Sequence, residues 1–579
     1  LQAESFALVL NEFMRAKKFG FSDGEINRAA KQMLSSYENY LEKIDETSHK
    51  EVIESVKSNF LENLVITDPK MEFEVVKLIL KDLKSQTLQD LMSDVYGNEN
   101  RLIAVTGVEN ETNLTKEIAF DLIRKAENNP ELKPYADTFQ EKSLMGDLVV
   151  NESKIVTEKY NSEIDATTFV LSNGVTVHYK LASKNKNEIK LKAESYGGTS
   201  LYSYKDLPSV SMMPNLVQMS GIGELSANEL KKVMMGNTAQ TYADIDNLTE
   251  TIEGDANTKD IESLFQLTHL RFVKPRFEPS MFELLKNNLQ NVIINKDKDI
   301  KSKMKDSMSI AIYGRINDRV RLMNKEFIDD LSFDKMELFY KERFHNVANF
   351  KFFLVGDIEI AKIRTLLEKY IASIPSTNNK ETYSDVTPKW ISNKIDKDIF
   401  IPMQTPKSTV NLCYEKEMAF NKKNELLTHI IGDILQLRYT ESLREKEGGT
   451  YGAGVNASLS KLPTSKCRLS IKFDCDATKV ENLIPIVYQE IENIKKGIIE
   501  QGDIDKTKAS YIKSKEDNQS FNDYKMNVVY EYFVNNVNID DPNNFENILS
   551  TISKNDIQGF ANTFLQNSKS YKIVFKPLL

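Results

Sequence analysis

Histidine is scarce in this sequence, and cysteine is scarcer. Five histidines stand among 579 residues: His49, His178, His269, His345 and His429. No two lie within a helical turn of each other, so neither His-x-x-x-His nor His-x-x-Glu-His is present, and the usual helix-borne zinc site is excluded. The three cysteines, Cys413, Cys467 and Cys475, form no Cys-x-x-Cys pair and are too few for a disulfide framework. They read as small buried hydrophobes. No Gly-x-Ser-x-Gly elbow is present. Gly221-Ile222-Gly223 lacks both a third glycine and a following Lys-Ser/Thr, so it reads as a turn between helices and not as a phosphate cradle. No apolar run reaches the length of a membrane-spanning helix. Lys and Arg number 76 against 85 Asp and Glu, a net charge of −9 without long runs of one sign. Nucleic-acid binding normally needs a clustered basic face, and none is visible.

What is present is length and repetition. A single hydrophobic core stops growing near ~250–300 residues, so several domains are expected. Leu1–Ala16 already reads as an amphipathic helix, with no initiating Met and no leader. This suggests a piece of a longer protein, cut inside a domain. Gly24-Glu25-Ile26-Asn27-Arg28 is echoed by Gly502-Asp503-Ile504-Asp505-Lys506, each following a Lys-Lys pair and opening a long polar helix. Glu278-Pro279-Ser280-Met281-Phe282 opens the equivalent helix in mid-chain. Each copy then closes with an amphipathic helix and an apolar strand: Leu88–Tyr96 with Arg101–Val108, Met336–Phe344 with Phe350–Val355, and Ile557–Leu565 with Tyr571–Phe575. Three such endings point to three related domains.

Strand signals complete the pattern. Thr167–Lys180 reads as a hairpin around Asn173-Gly174, a pair suited to a type I′ turn. Glu188–Ser195 reads as a strand ending at Gly197-Gly198, and Ser408–Tyr414, Tyr451–Leu459 and Lys466–Asp474 alternate as strands do. The punctuation divides the chain into an incomplete domain (1–110), a linker with surface helices (111–163), a complete domain (164–375), a linker (376–396) and a last domain (397–579). The expected fold class is α+β, each domain a mainly antiparallel sheet with helices packed on one face.

One segment carries candidate chemistry, Leu443-Arg444-Glu445-Lys446-Glu447-Gly448-Gly449-Thr450-Tyr451-Gly452-Ala453-Gly454. Leu427, Ile430, Ile434, Leu435 and Leu443 make an apolar helix stripe, placing Arg444 in the last turn. Gly448-Gly449 supplies a left-handed stop. Tyr451 then opens a strand flanked by glycines, where another backbone can approach. Arg offers a rigid donor fork for a carbonyl or carboxylate, and Tyr a phenol that can donate to a developing oxyanion. A helix-terminal Arg favouring the dipole and a Tyr packed at a sheet edge account for the same residues equally well.

Leu443–Tyr451 resembles the Leu-Arg-x-Lys-Glu-x-x-x-Tyr segment of the insulinase/pitrilysin zinc metallopeptidases, in the last of their four homologous domains. The Asn173-Gly174 hairpin, the Gly197-Gly198 turn, Phe272-Val273-Lys274-Pro275-Arg276-Phe277 and Phe353-Leu354-Val355-Gly356-Asp357 are similar to further family segments in the same order. The resemblance covers essentially the whole chain and is nearest to bacterial single-chain members.

The resemblance implies two halves hinged as a clamshell, of which this chain is the C-terminal one. Residues 1–110 would be the end of the second domain, and the zinc motif would lie in the missing N-terminal half. The helix Ser209–Ser220 stands where a zinc motif would be, with Pro214, Val217 and Gln218 in place of its ligands and base. No metal is therefore expected on this chain. Arg444 and Tyr451 are implied to bind substrate and stabilise the transition state. The implied partners are a zinc-bearing half, on the same polypeptide or a separate chain, and a peptide substrate. Periplasmic localisation is implied by bacterial relatives. The chain alone is expected to be inactive. The alternatives are a non-catalytic partner subunit or a structural, binding homologue.

Overall fold

The computed structural model describes residues 2–97, 101–107, 112–151, 153–296, 298–377, 379–403, 406–448, 450 and 452–578. They form two compact units: one of residues 1–146 with 228–239, the other of 147–227 with 240–579.

The first unit is helical. Its elements are α1 (Gln2–Phe19), α2 (Asp23–Glu42), α3 (His49–Glu62), α4 (Pro69–Asp82), α5 (Ser85–Val95) and α6 (Lys116–Glu127). Ser22 caps α2 through a reciprocal capping box with Glu25, satisfying end donors that the helix itself cannot. Leu10 and Met14 of α1 pack on Ile123 and Ala126 of α6. Arg28 of α2 pairs with Asp137 at 2.7 Å. The strand expected over 101–108 does not form in the described part: 101–107 is irregular, and Val108 lies outside the described residues. A strand needs a neighbour to accept and donate its hydrogen bonds.

The second unit holds two sheets. In the first are β1 (Ile155–Asn161), β2 (Ala166–Leu171), β3 (Thr176–Leu181), β4 (Ile189–Tyr196), β5 (Gln240–Ile245), β6 (Thr249–Ala256) and β7 (Lys351–Gly356). Their order is β1-β2-β3-β7-β4-β6-β5. The associated helices are α7 (Leu207–Ser220), α8 (Ala227–Val233), which lies in the segment grouped with the first unit, α9 (Ile261–Val273), α10 (Pro279–Lys296), α11 (Ile300–Tyr313), α12 (Lys325–Asp329), α13 (Phe333–Phe344) and α14 (Ile360–Leu366). The β2–β3 hairpin forms as expected, but its turn is not type I′. Asn173 keeps a negative φ, the Gly174 amide donates to the Leu171 carbonyl, and Gly174 alone takes φ 85°. This is a three-residue loop with glycine in the left-handed position. The Asn173 side chain instead donates to the carbonyls of Ile371 and Ile374.

The second sheet is built from β8 (Lys394–Ile401), β9 (Lys407–Glu417), β10 (Ala453–Ser460), β11 (Lys466–Asp476) and β12 (Lys569–Pro577), in the order β10-β11-β9-β12-β8. Its helices are α15 (Lys422–Tyr439), α16 (Val480–Lys495), α17 (Gln501–Asn518), α18 (Asn522–Tyr530), α19 (Glu546–Thr551) and α20 (Lys554–Leu565). The run β8-β12-β9-β11-β10 repeats β3-β7-β4-β6-β5 in order. It also repeats it in sense: the first pair of each run is parallel and the other pairs are antiparallel. The mixed α+β class with mainly antiparallel pairing is therefore as the sequence indicates.

The helices of each repeat pack on one face of its own sheet, as expected, and the other face is closed by a helix of the other repeat. In the second sheet Val410, Leu412, Leu469 and Val574 face α15, α16 and α20. Its opposite face, Cys413, Tyr571, Ile573 and Phe575, is closed by Ala311 and Ile312 of α11, a helix of the preceding repeat. The first sheet mirrors this. Phe352 meets Phe272 of α9, while Phe353 and Val355 meet Val529 of α18, a helix of the following repeat. The two repeats thus exchange helices, and the central strands are buried on both faces.

Candidate functional site

The helix carrying Arg444 is long and then distorted. Leu427, Ile430, Ile434 and Leu435 bury the inner face of α15, and Leu443 continues that stripe. From Thr440 to Lys446 the helix widens to i→i+5 bonding. Thr440 and Ser442 return their hydroxyls to the carbonyls of Gln436 and Arg438. Such π-turns commonly mark functional sites. Tyr439 anchors the segment from inside, its buried hydroxyl donating to the Val487 carbonyl at 3.1 Å. Arg444 itself is exposed. The Gly448 amide donates to the Arg444 carbonyl at 3.1 Å, and Gly448 adopts φ 53°, the left-handed stop anticipated there. Lys479 Nζ donates to the Gly448 carbonyl. Tyr451 and Gly449 lie outside the described residues.

Past Tyr451 the chain enters β10, the edge strand of its sheet. A Cβ on Gly452 would meet nothing within 4 Å, and one on Gly454 only the Lys472 carbonyl at 3.9 Å, so the start of this edge looks onto open space. Gln436 of α15 was not singled out by sequence reasoning. Its side-chain amide donates to the Ala453 carbonyl at 2.7 Å and accepts from the Val455 amide at 3.0 Å. It satisfies two outward-pointing backbone groups of the edge strand, as a neighbouring strand would, and so holds Ala453 and Val455 to the helix bearing Arg444. A Gln two turns before Arg444 carries no motif that would reveal this.

The other candidate helix does not fit a metal. On α7, Pro214 and Val217 are buried and offer no ligand atoms. Gln218 accepts from Arg271 Nη2 at 2.7 Å. Arg271 is 2% exposed and also reaches the side chain and carbonyl of Thr241, and its positive charge opposes a divalent cation beside it. Among the described residues no three His, Cys, Asp or Glu side chains are grouped to hold a metal ion. His178 and His269 are core residues with partners: His178 bonds Thr168 and stacks on Phe533 at 3.6 Å, and His269 bonds the Tyr370 carbonyl. All three cysteines are buried and free, with Cys467 and Cys475 on one strand. Among the described residues no helix is long and apolar enough to cross a membrane.

A fold with two sheets of this topology is found again in known proteins. Residues 330–511, from α13 through most of α17, match the family described as the Peptidase M16 inactive domain. The resemblance to zinc metallopeptidases thus holds, in its inactive type of domain. Among curated proteins the chain is similar to the probable zinc protease PqqL of Haemophilus influenzae, 23% identical over 489 residues. It is also similar to the protein of that name from Escherichia coli, 20% identical over 501 residues. These matches cover 84% and 85% of this chain but 51% and 53% of the relatives, so the chain spans about half their length. Among solved structures, the periplasmic protease PqqL of Escherichia coli superposes with a TM-score of 0.67 at 17% identity, over 99% of this chain and 63% of that one. A mutant of the ferredoxin protease FusC, in complex with Arabidopsis ferredoxin, superposes with a TM-score of 0.68 at 16% identity over the same shares.

Proposed function

We propose that this chain is the C-terminal, non-zinc half of a zinc metalloendopeptidase that hydrolyses peptides or unfolded segments. The observation that carries the reading is the match of 330–511 to a peptidase domain of inactive type, with the Arg444–Tyr451 segment inside it. Arg444 lies exposed at a π-turn beside an open edge strand, a place where a guanidinium can grip an extended backbone. Tyr451 is assigned the oxyanion contact, in which a phenol donates to charge that develops only in the transition state. The zinc-bearing half is assigned to a partner region outside these residues, on the same polypeptide or a separate chain. Periplasmic localisation follows the PqqL neighbour.

The test is made on the assembled enzyme. Tyr451→Phe should lower kcat by about 10²–10³, the usual cost of one oxyanion donor, while zinc content stays the same. Arg444→Ala should act mainly through KM. Full activity of both variants would remove the assigned roles and leave the non-catalytic reading.

A further inference from the structure

A cavity of about 620 Å³ lies in the first repeat, walled by parts of α7, α10 and α11 and by residues 319–323. That volume is in the range that holds small organic ligands. Four cations line it, Lys296, Lys305, Arg319 and Arg321, against one carboxylate, Asp306. Two of the four have acidic partners: Lys296 pairs with Asp306, and Arg321 with Asp330 at 2.9 Å. Arg319 is different. It is half-buried, and among the described residues its guanidinium donates to the carbonyls of Tyr202 at 2.7 Å and Thr199 at 2.9 Å and meets no carboxylate. Burial lowers its pKa, and no neighbouring acid offsets this. A guanidinium has five N–H donors, so donors remain for a further acceptor.

The sequence of α11 serves two faces. Met304, Met308 and Ile312, each four residues on, lie against the second sheet. Ser302, Lys305 and Ser309, spaced three and four apart, form another face of the same helix and line the cavity. The loop that follows is held by Asn317, whose side-chain oxygen accepts from the amides of Arg319 at 2.8 Å and Val320 at 3.0 Å. The wall also has an apolar part, which includes Met212 of α7 and Val292 of α10.

A cleft lined by one sign of charge concentrates counter-ions, and a guanidinium fork matches the geometry of a carboxylate or phosphate. We propose that this cavity binds a small organic anion, its carboxylate or phosphate head held by Arg319 and Lys305 and its apolar body against Met212 and Val292. Ser211 and Ser309 line the same space and supply further hydroxyl donors. A ligand seated there ties α11 to α7 and stabilises the folded chain by mass action. The site belongs to the first repeat, and the inference stands whether or not Arg444 and Tyr451 act on substrate.

Calorimetric titration of the 579-residue chain in Tris chloride tests it, with inorganic phosphate, phenyl phosphate and phenylacetate as probes. Phenyl phosphate or phenylacetate should saturate a single site and raise the melting temperature. Tighter phenyl phosphate assigns a phosphate head, and tighter phenylacetate a carboxylate. Arg319→Gln and Lys305→Glu should each weaken the tighter probe roughly tenfold or more, the usual cost of one charge-assisted bond. Arg319 also holds two carbonyls, whereas Lys305 is exposed, so Lys305→Glu reads binding without loss of the fold. Lys301→Glu, on the same helix but outside the cavity, should leave affinity unchanged. Absence of saturable binding by any probe would overturn the proposal. So would equal affinity in the original chain and Lys305→Glu, or an equal loss in Lys301→Glu.

Discussion

The two sheets of the larger unit and the helices of the smaller one share a repeat but not an environment. In the larger unit a strand such as β7 is buried on both sides, by α9 on one and by the exchanged α18 on the other. Among the described residues the same helical pattern in the smaller unit buries Leu10, Met14, Ile26, Phe73 and a few others, and it holds more than half of the exposed large apolar side chains. The difference shows that the helices of this repeat can be written in sequence without a sheet, but their apolar faces are satisfied only by one. It also explains why 101–107, as apolar as β7, is no strand.

The sharpest way to break the comparison is to truncate one aromatic in each region. Phe353, fully buried between β3, β4 and α18, should cost about 3–5 kcal/mol as Phe353→Ala, read by urea unfolding of the larger unit. Phe60→Ser on exposed α3 should change this chain by less than about 0.5 kcal/mol. Equal losses would mean that α3 is covered within the chain.

A smaller effect tests the exchanged helix through protons. Burial beneath α18 and its π-turn, with Lys351 adding to it, pushes the His178 imidazole from 6.5 down to about 3. The folded chain therefore binds fewer protons than the unfolded chain between those values. Stability from this group is complete above about pH 6.5 and falls as the pH drops toward 3, with a slope of about 1.4 kcal/mol per pH unit at most. His178→Phe should remove that slope from the pH dependence of stability, so the difference between the original chain and the variant should change with pH between about 3 and 6.5. An unchanged slope would mean that α18 does not seal this face.

The smallest effect concerns the candidate site. Gln436→Ala leaves the Ala453 carbonyl and the Val455 amide without their side-chain partner, at a cost of about 1–3 kcal/mol of local stability. Hydrogen exchange should rise at Val455 and not at the other edge of the sheet, β8. Uniform exchange across the sheet would contradict the local role.

Much of this architecture was legible. The Gly24 and Gly502 echoes, the closing helices and strands of the later repeats, and the Asn173-Gly174 hairpin follow from periodicity and turn chemistry. β5 and β6 escaped because their buried faces carry Thr241, Glu250 and Gly254 in place of apolar side chains, which hides the alternation of a strand. The helix exchange escaped because an apolar stripe does not say which sheet it meets. At the site, Arg444 and the Gly448 stop were readable from a helix stripe followed by glycine. Gln436 was not, because its role depends on an edge strand 17 residues away.

The central claim is that catalytic zinc does not belong to these 579 residues. Metal analysis of the purified chain, coupled to a peptide-cleavage assay, tests it most directly. The account predicts no stoichiometric zinc and no hydrolysis. One bound zinc per chain, with cleavage abolished by a chelator, would contradict it.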